Sequence, residues 1–509
     1  MSEKEYIVTL KAGVNYEAFN TEMIASTGAG DIPGRSVAIV NPRPGSTRNT
    51  HYALTDEEAI AVANDERVVA VEIPPEQRDD ISIGLNATQD ANFTKTTADT
   101  GTFVNWGLRR CIAPNDPYTD STPVNNNYDY TLDGNGVDVV IQDSGLQVDH
   151  PEFLDSDGVT RVQQIDWYDE SGISGTQSAN HYRDFDGHGT HCAGIAAGLT
   201  YGWAKKARIY SVKVNGLEGS GDSNTGIPIS DVFDVIKLWH QNKPVDPVTG
   251  VKRPTIVNMS WGYGTTFTSF SGGEYRGEFF GDTTRRTDLG MIGAFTLNGY
   301  RFGVRIPSVD ADVEEMIEAG IHVCIAAGNS RQRVAIPGDV DYNNFINKSG
   351  TVFYHRGGSP FSSNAFMTGN IDSNVISGQE QKVASSECGP GVNIYAPGTN
   401  IMSATSITNR FTDGPYPFET DSVHRICNIG GTSMAAPQVA GLGACILQLN
   451  PAFTPAQLQD FITDNSRKGL LRESGNQYDY TNSTVLLGSV NRYLFQPFNN
   501  PYVLQIKNT

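Results

Sequence analysis

The stretch Gly431-Thr432-Ser433-Met434-Ala435-Ala436-Pro437 places one serine between a Gly-Thr turn and a run of small residues that predicts a helix. A serine at the start of a helix has backbone N–H groups beside its hydroxyl, and the helix N-terminus favours negative charge. A nucleophile needs such surroundings when its intermediate carries an oxyanion. Ser433 is therefore the candidate nucleophile.

A serine hydroxyl also needs a base, normally a histidine that a carboxylate orients. Among nine histidines, His188 is the best placed, because glycines that permit close backbone approach surround it in Asp186-Gly-His-Gly-Thr-His-Cys-Ala-Gly194. The candidate carboxylate is Asp143, which follows residues 139–141, a predicted buried parallel strand. The chain order is therefore Asp143, His188, Ser433.

These stretches resemble the three signature motifs of subtilisin-family serine proteases (subtilases). Their sequences most resemble those of the proteinase K-like branch. Asp-Ser-Gly, His-Gly-Thr-His-Cys-Ala-Gly and Gly-Thr-Ser-Met-Ala-Ala-Pro occur in the subtilisin order. The resemblance implies a serine endopeptidase that cleaves polypeptide substrates through an acyl-enzyme, with no cofactor required for the chemistry. It also implies that Asn329, which ends His-Val-Cys-Ile-Ala-Ala-Gly-Asn, is the side-chain donor of the oxyanion hole beside the Ser433 N–H.

Two further stretches resemble the substrate-binding walls of this family. Ser260-Trp261-Gly262 follows a predicted strand and resembles the wall of the primary specificity pocket. Gly219-Ser220-Gly221 resembles the edge that pairs with an extended substrate, and the alternative is an ordinary surface loop. Trp261 stands where the family usually has a smaller apolar residue, so it either reshapes the pocket or points into the core.

Metal sites have weak support in the sequence. His188 and His191 have the spacing of a helical zinc pair, but no third ligand stands out and the triad uses His188 better. Asp372 resembles a weaker calcium ligand of the family, and one carboxylate is poor evidence for an ion that takes about six to eight oxygens. We predict no metal for the chemistry and leave a structural calcium open.

The N-terminal region predicts a separate small domain. Over residues 1–77 the predicted order is β-α-β-β-α-β, the ferredoxin-like α+β unit, and Thr55-x-x-Glu58 predicts a capping box. This region resembles a subtilisin propeptide, which implies a folding aid and an intramolecular inhibitor; a generic α+β module is the alternative. A polar linker is predicted over residues 78–104, and we expect autoprocessing within it.

The peptidase domain is predicted over residues 105–509. Strand-like and helix-like stretches alternate there, which predicts an α/β, subtilisin-like fold with a parallel sheet and helices on both faces. Asp143 and Asn329 would then lie near strand carboxyl ends, where such sheets bind ligands. Insertions at about 263–308 and 331–368 depart from the family pattern. We expect them to cap the cleft or to dock a partner in a larger assembly.

Composition excludes some classes of partner. The 37 Lys and Arg against 57 Asp and Glu give a net charge of −20, and no basic cluster favours nucleic acid or an anionic surface. No apolar run approaches the roughly 18–20 residues of a membrane span, and the first residues lack the basic and apolar regions of a secretory signal. We therefore expect synthesis in the cytoplasm, with export by another route or association with a virion left open.

Two other functions stay open at this stage. One is a structural or assembly component, such as part of a virion, that uses a subtilase body and retains its inhibitor domain. The other is a peptide ligase, if Trp261 and the first insertion exclude water from the acyl-enzyme.

Overall fold

The N-terminal residues fold as the sequence predicts. The computed structural model describes residues 2–25, 32–85, 88–89, 105–113, 116–117, 130–177, 181–214, 228–267, 270–281, 300–375, 378–411, 416–418, 421–473 and 485–496. The first elements are β1 Lys4–Leu10, α1 Tyr16–Ala25, β2 Ile39–Asn41, β3 Asn49–Leu54, α2 Asp56–Ala63 and β4 Val68–Glu72. The strands form an antiparallel sheet in the order β2-β3-β1-β4, with its own core around Phe19 and Tyr52. The capping box of Thr55 and Glu58 starts α2, and the small α+β fold is confirmed.

Two short strands follow in the segment predicted as a linker. They are β5 Ser82–Gly84 and β6 Thr88–Gln89. Both pair with strands of the larger unit: β5 pairs with the strand that begins at Gly262, and β6 pairs with the strand that ends at Gly430. The end of the N-terminal unit is thus joined by backbone hydrogen bonds to the body that follows it.

The larger unit alternates helices and strands. Its helices are α3 Trp106–Ile112, α4 Trp167–Ser171, α5 His188–Ala197, α6 Ile229–Asn242, α7 Pro307–Glu318, α8 Thr432–Leu449 and α9 Pro455–Asn465. Its strands are β7 Asp138–Asp143, β8 Val162–Gln163, β9 Arg208–Lys213, β10 Thr255–Met259, β11 Gly262–Phe267, β12 Gly273–Tyr275, β13 Glu278–Phe280, β14 Tyr300–Gly303, β15 His322–Ala326, β16 Phe345–Lys348, β17 Thr351–Tyr354, β18 Phe366–Ile371, β19 Ile394–Pro397, β20 Ile401–Thr405, β21 Tyr416–Phe418, β22 Asp421–Gly430, β23 Arg467–Lys468 and β24 Arg492–Tyr493.

The central sheet has nine strands in the order β23-β24-β19-β18-β15-β10-β7-β9-β8. Its described pairs are parallel except for β23 with β24. Strands β7 and β10 are buried along their whole length, as a sheet covered on both faces requires. One core cluster contains side chains of α5 and α8 and the other contains those of α6 and α7. The predicted α/β architecture is confirmed.

The two predicted insertions pair with each other. Strand β12 of the first pairs with β16 of the second, in a sheet of order β13-β12-β16-β17. Strands β11 and β14 form a second sheet with β5, in the order β14-β11-β5. The described part of the first insertion therefore lies beside the end of the N-terminal unit. No described helix combines the length and the apolar composition that a bilayer span needs.

Candidate active site

Strand β7 and helix α5 bring Asp143 and His188 into direct contact. Asp143 is the last residue of β7, His188 is the first of α5, and both side chains are fully buried. Nδ1 of His188 lies 2.8 Å from Oδ1 of Asp143. The same oxygen accepts a hydrogen bond from the backbone N–H of Ser144. The carboxylate can therefore hold the Nδ1 proton and stabilise a positively charged imidazole.

Glycines flank His188 because the backbone leaves no room for side chains there. Gly187 has a φ of 91°, in the left-handed region that favours glycine. A Cβ at Gly189 would lie 2.2 Å from the carbonyl oxygen of Gly145. The Gly-His-Gly pattern is thus what allows α5 to start against the end of β7.

Asp184 fixes the first turn of α5, and no sequence motif marked it. Its Oδ1 accepts hydrogen bonds from the N–H of Gly187 and the hydroxyl of Ser144. Its Oδ2 accepts from both the N–H and the hydroxyl of Thr190. The hydroxyl of Ser144 in turn accepts from the N–H of Gly189. These hydrogen bonds therefore connect the loop after β7 to the start of α5. The only sequence signal for this role was an Asp shortly before a predicted helix, where such residues commonly cap the helix.

The hydroxyl of Ser433, in the first turn of α8, is hydrogen-bonded to a backbone carbonyl. Its Oγ donates to the carbonyl of Ser260 at 3.1 Å, and Nε2 of His188 is buried with no partner among the described atoms. Sγ of Cys192 lies 3.4 Å from the Ser433 carbonyl oxygen and 3.8 Å from Nδ1 of His188. The carboxylate and the imidazole are therefore hydrogen-bonded, Cys192 contacts both the imidazole and the Ser433 backbone, and the Ser433 hydroxyl bonds to Ser260.

Cys192 is close enough to share an ion with Asp143 and His188, within the part of the chain that the structure describes. Burial, followed by the nearby Asp143 carboxylate, raises the pKa of the Cys192 thiol well above its usual range. Metal ligation needs the thiolate, and the Asp143 bond already uses Nδ1 of His188. The three residues thus fit an acid–base pair with a neutral thiol beside it better than a metal centre.

The other candidate ligands, His191 and Asp372, do not converge on a site. Nε2 of His191 lies 3.1 and 3.0 Å from the carbonyl oxygens of Ile401 and Cys427, and burial lowers the pKa of His191 to about 3. Oδ1 of Asp372 accepts from the backbone N–H of Asn374 at 3.0 Å. Neither belongs to a group of three His, Cys, Asp or Glu side chains within ion-binding distance in the described ranges. A structural calcium stays a prediction.

Asn329 lies beside the start of α8. Its Oδ1 accepts hydrogen bonds from the N–H and the hydroxyl of Thr432 at 2.9 and 3.1 Å. Holding the amide oxygen this way turns the NH₂ group away from Thr432. The N–H of Ser433 lies in the first helical turn, where no intrahelical carbonyl can accept it. Asn329 and Ser433 line one cavity.

The predicted wall residues Ser260, Trp261 and Gly262 line the same cavity as Ser433, and each makes different contacts. Gly262 begins β11, which pairs with Gly84 of β5. Oγ of Ser260 donates to the carbonyl oxygen of Ser433 at 2.9 Å, so this side chain supports the backbone of the candidate nucleophile. The Trp261 ring belongs to a core cluster, 5.7 Å from the ring of Tyr263, so it points into the core. Gly219-Ser220-Gly221 lies outside the described residues.

A comparison with known protein families identifies the family to which this chain belongs. A family model described as the subtilase family matches residues 134–482, which include Asp143, His188, Asn329 and Ser433. The chain belongs to the subtilase family. A cuticle-degrading serine protease from Arthrobotrys oligospora is 28% identical over 377 residues, which cover 74% of this chain and 66% of that protein. An extracellular serine proteinase from a Thermus species is 25% identical over 424 residues, which cover 82% of this chain and 75% of that protein.

This subtilase spans only part of some relatives. It covers 66% of the Arthrobotrys oligospora protease and 63% of a cuticle-degrading serine protease from Orbilia oligospora. Among solved structures, fervidolysin from Fervidobacterium pennivorans, a keratinolytic enzyme related to subtilisin, has a TM-score of 0.52 at 16% identity. That match covers 96% of this chain and 60% of fervidolysin, and it supports the fold.

Proposed function

We propose that this subtilase is a serine endopeptidase of the proteinase K-like branch, which hydrolyses peptide bonds in polypeptides through an acyl-enzyme. The hydrogen bond between Asp143 and His188, beside Ser433 at the start of α8, is the observation that carries the proposal. Ser433 attacks the peptide carbonyl, and His188 takes its proton and later gives it to the leaving amine. Asp143 stabilises the imidazolium, while Asn329 and the Ser433 N–H stabilise the oxyanion.

Catalysis requires the Ser433 hydroxyl to leave the Ser260 carbonyl and meet Nε2 of His188. Rotation about the Cα–Cβ bond moves Oγ between staggered positions without moving the backbone. The backbone itself is held, because the Ser433 carbonyl accepts hydrogen bonds from both Ser260 and Cys192. We therefore assign the activating movement to the serine side chain alone.

Hydrolysis of a general protein substrate and labelling by a fluorophosphonate test this function together. We expect hydrolysis, and we expect peptide mass spectrometry to locate the label on Ser433. An inactive protein that elutes as a stable large assembly would instead support the structural alternative. Ligated peptides among the products would support the ligase.

Asn329→Leu tests the oxyanion hole. We expect kcat to fall by about 10²–10³-fold with little change in KM, because the amide donor acts on charge that develops in the transition state. Steady-state kinetics on one peptide substrate measure both constants. A kcat within about threefold of the unmodified enzyme would remove Asn329 from the mechanism.

We also propose that the N-terminal unit is an intramolecular inhibitor and folding aid. Its strand β5 pairs antiparallel with β11, so that Gly84 lies opposite Gly262, and β6 pairs with Ile429 and Gly430, just before Ser433. Extended peptides bind to exposed sheet edges in the same way. Nη2 of Arg410 also donates to the Leu85 carbonyl at 2.7 Å. These contacts support a tail that occupies the substrate cleft.

The two pairings bracket the expected site of autoprocessing. Gly84 pairs with Gly262, which lines the same cavity as Ser433, and Thr88 pairs with Gly430, three residues before Ser433. Residues 86 and 87 lie outside the described residues. We expect cleavage at one of the three peptide bonds that join Leu85 to Thr88, since that segment connects the two paired positions.

Arg43 anchors the N-terminal unit to the larger one. It is fully buried, and its guanidinium donates to Asp234 at 2.7 and 3.1 Å and to Asp312 at 2.9 Å. The carboxylate of Asp231 is 3.4 Å away. Although burial opposes the charge, these carboxylates raise the pKa of Arg43 well above its usual range. The unit therefore supplies a cation that neutralises buried acids on α6 and α7.

Arg43→Ala is expected to lower the free energy of unfolding of the N-terminal unit by about 3–5 kcal/mol, because buried carboxylates lose their cation. Urea unfolding in a Ser433→Ala background measures this without cleavage. Arg35→Ala is the matched control: its partners Glu3 and Glu58 lie within the same unit and its side chain is 41% exposed. The control should cost less than about 1 kcal/mol. Equal effects of the two substitutions would contradict the anchoring role.

A further inference from the structure

A buried carboxyl group faces the cavity beside Ser433. The lining of this cavity includes Ser433, Asn329, Gly262 and Glu387. Glu387 is 3% exposed. Glu387 precedes β19 in a stretch without a catalytic motif. It has no role in the proposed peptidase mechanism.

The backbone around Glu387 fixes the position of its carboxyl group in the lining of this cavity. The Glu387 N–H donates to the carbonyl of Gly328 at 2.9 Å. A Cβ at Gly328 would lie 2.5 Å from the Glu387 carboxyl carbon, and a Cβ at Gly357 would lie 3.4 Å from Oε2. Both glycines have positive φ, 117° and 79°. The carboxyl group is thus packed against bare backbone, below the strand end that leads to Asn329.

One oxygen of this carboxyl group lacks a partner. Oε2 is buried and has no hydrogen-bond partner among the described atoms, whereas the backbone N–H of Ser330 bonds to the carboxyl group. Burial, opposed by Arg305 and then by that backbone hydrogen bond, raises the pKa of Glu387 to about 8. A buried acceptor without a donor is costly, so a ligand that brings a donor gains more than one that does not.

The two arginines that face Glu387 direct their hydrogen bonds elsewhere. Arg305 donates to Asp310 and to the Arg356 carbonyl, and its guanidinium lies 3.5 Å from the centre of the Phe361 ring. Nη2 of Arg301 donates to the carbonyls of Gly262 and Ser82 at the mouth of the cavity. They lower the cost of an ionised Glu387 without satisfying Oε2.

We propose that Glu387 makes this cavity a specificity pocket for a side chain that ends in N–H donors, lysine above all, on the residue whose carbonyl Ser433 attacks. The proposal rests on the proposed peptidase function. A lysine ammonium offers three donors and a charge on a long apolar stem, which suits a buried carboxylate in the lining of a cavity. An apolar side chain of the same length would leave Oε2 buried and unpaired. The expected autoprocessing segment contains Asn86, whose side chain also ends in N–H donors.

Peptides that differ only at this residue test the proposal on the processed enzyme. Lysine is compared with norleucine, which has the same stem without the ammonium, at a pH of about 9, above the raised pKa of Glu387 and below the ordinary pKa of lysine. We expect kcat/KM to be about 100-fold or more higher for lysine. In Glu387→Gln we expect the ratio to fall below about tenfold, mainly through loss of lysine cleavage. Glu318→Gln, at the exposed end of α7, is the control and should keep the original ratio.

The outcomes separate this proposal from the function on which it rests. Hydrolysis with equal or better cleavage after norleucine overturns the role of Glu387 even if Glu387→Gln does not fold. A folded Glu387→Gln that keeps the original ratio overturns it as well. If no peptide in the series is cleaved, the peptidase function itself fails and the pocket assignment fails with it.

Discussion

Ser433→Ala is expected to reduce kcat on a peptide substrate by about 10⁶-fold, leaving only the rate that binding and the oxyanion hole can support. The substitution removes the atom that forms the acyl-enzyme and keeps the backbone donors of α8. KM should change little, because the Ser433 hydroxyl acts in the reaction rather than in holding the substrate. Steady-state kinetics on a fluorogenic peptide measure this loss.

An exposed serine provides the control for this substitution. Ser363→Ala removes a hydroxyl that lies on the surface, away from the cavity lining, and should retain full activity. Fluorophosphonate labelling should vanish in Ser433→Ala and persist in Ser363→Ala. Labelling or turnover that survives in Ser433→Ala would move the nucleophile to another residue.

Asp143→Asn is expected to reduce kcat by about 10⁴-fold while the fold is retained. An amide keeps the size of the carboxylate but cannot neutralise the imidazolium, and its NH₂ group favours the wrong tautomer of His188. Oδ1 of Asp143 lies 2.8 Å from Nδ1 of His188, so this exchange acts at the point where the ring is oriented. Kinetics on the same peptide and circular dichroism measure the two effects.

A nearby exposed carboxylate separates this effect from a general loss of charge. Asp149→Asn removes a carboxylate whose side chain is 65% exposed, and we expect less than a twofold change in kcat. A similar loss in both variants would mean that long-range charge, and not orientation of His188, explains the result. An Asp143→Asn enzyme with near-normal kcat would contradict the triad.

Much of the fold was predictable because the informative residues stand at the ends of elements. Asp143 ends a buried apolar strand, His188 starts a helix after glycines, and Ser433 lies in the first turn of another helix. Apolar strand patterns and glycine positions are local signals, so they can be recognised in one sequence without a structure. The β-α-β-β-α-β order near the N-terminus was predictable for the same reason.

Features that depend on distant pairing were not predictable. Strands β5 and β6 lie in a polar segment without periodicity, and their partners are about 180 and 340 residues further along the chain. The pairing of β12 with β16 joins two insertions that each look like loops in the sequence. Long-range pairing of short strands leaves little local trace, since the register is set by the partner.

The roles of single polar side chains were the least predictable. Ser260 was expected in a substrate wall; it lines the cavity beside Ser433, and its hydroxyl also donates to the Ser433 carbonyl oxygen, which the sequence did not indicate. Asp184 and Glu387 stand in no motif, and their importance comes from what lies against them after folding. Burial and unsatisfied acceptors are properties of the assembled chain, so they become visible only in the structure.

The intact mass of the purified protein, with and without Ser433→Ala, tests the central claim most directly. We expect the unmodified protein to yield two fragments separated at one bond between Leu85 and Thr88, and Ser433→Ala to yield one uncut chain. The same cut in Ser433→Ala, or an active protein in which that segment stays whole, would contradict a triad that processes its own inhibitor.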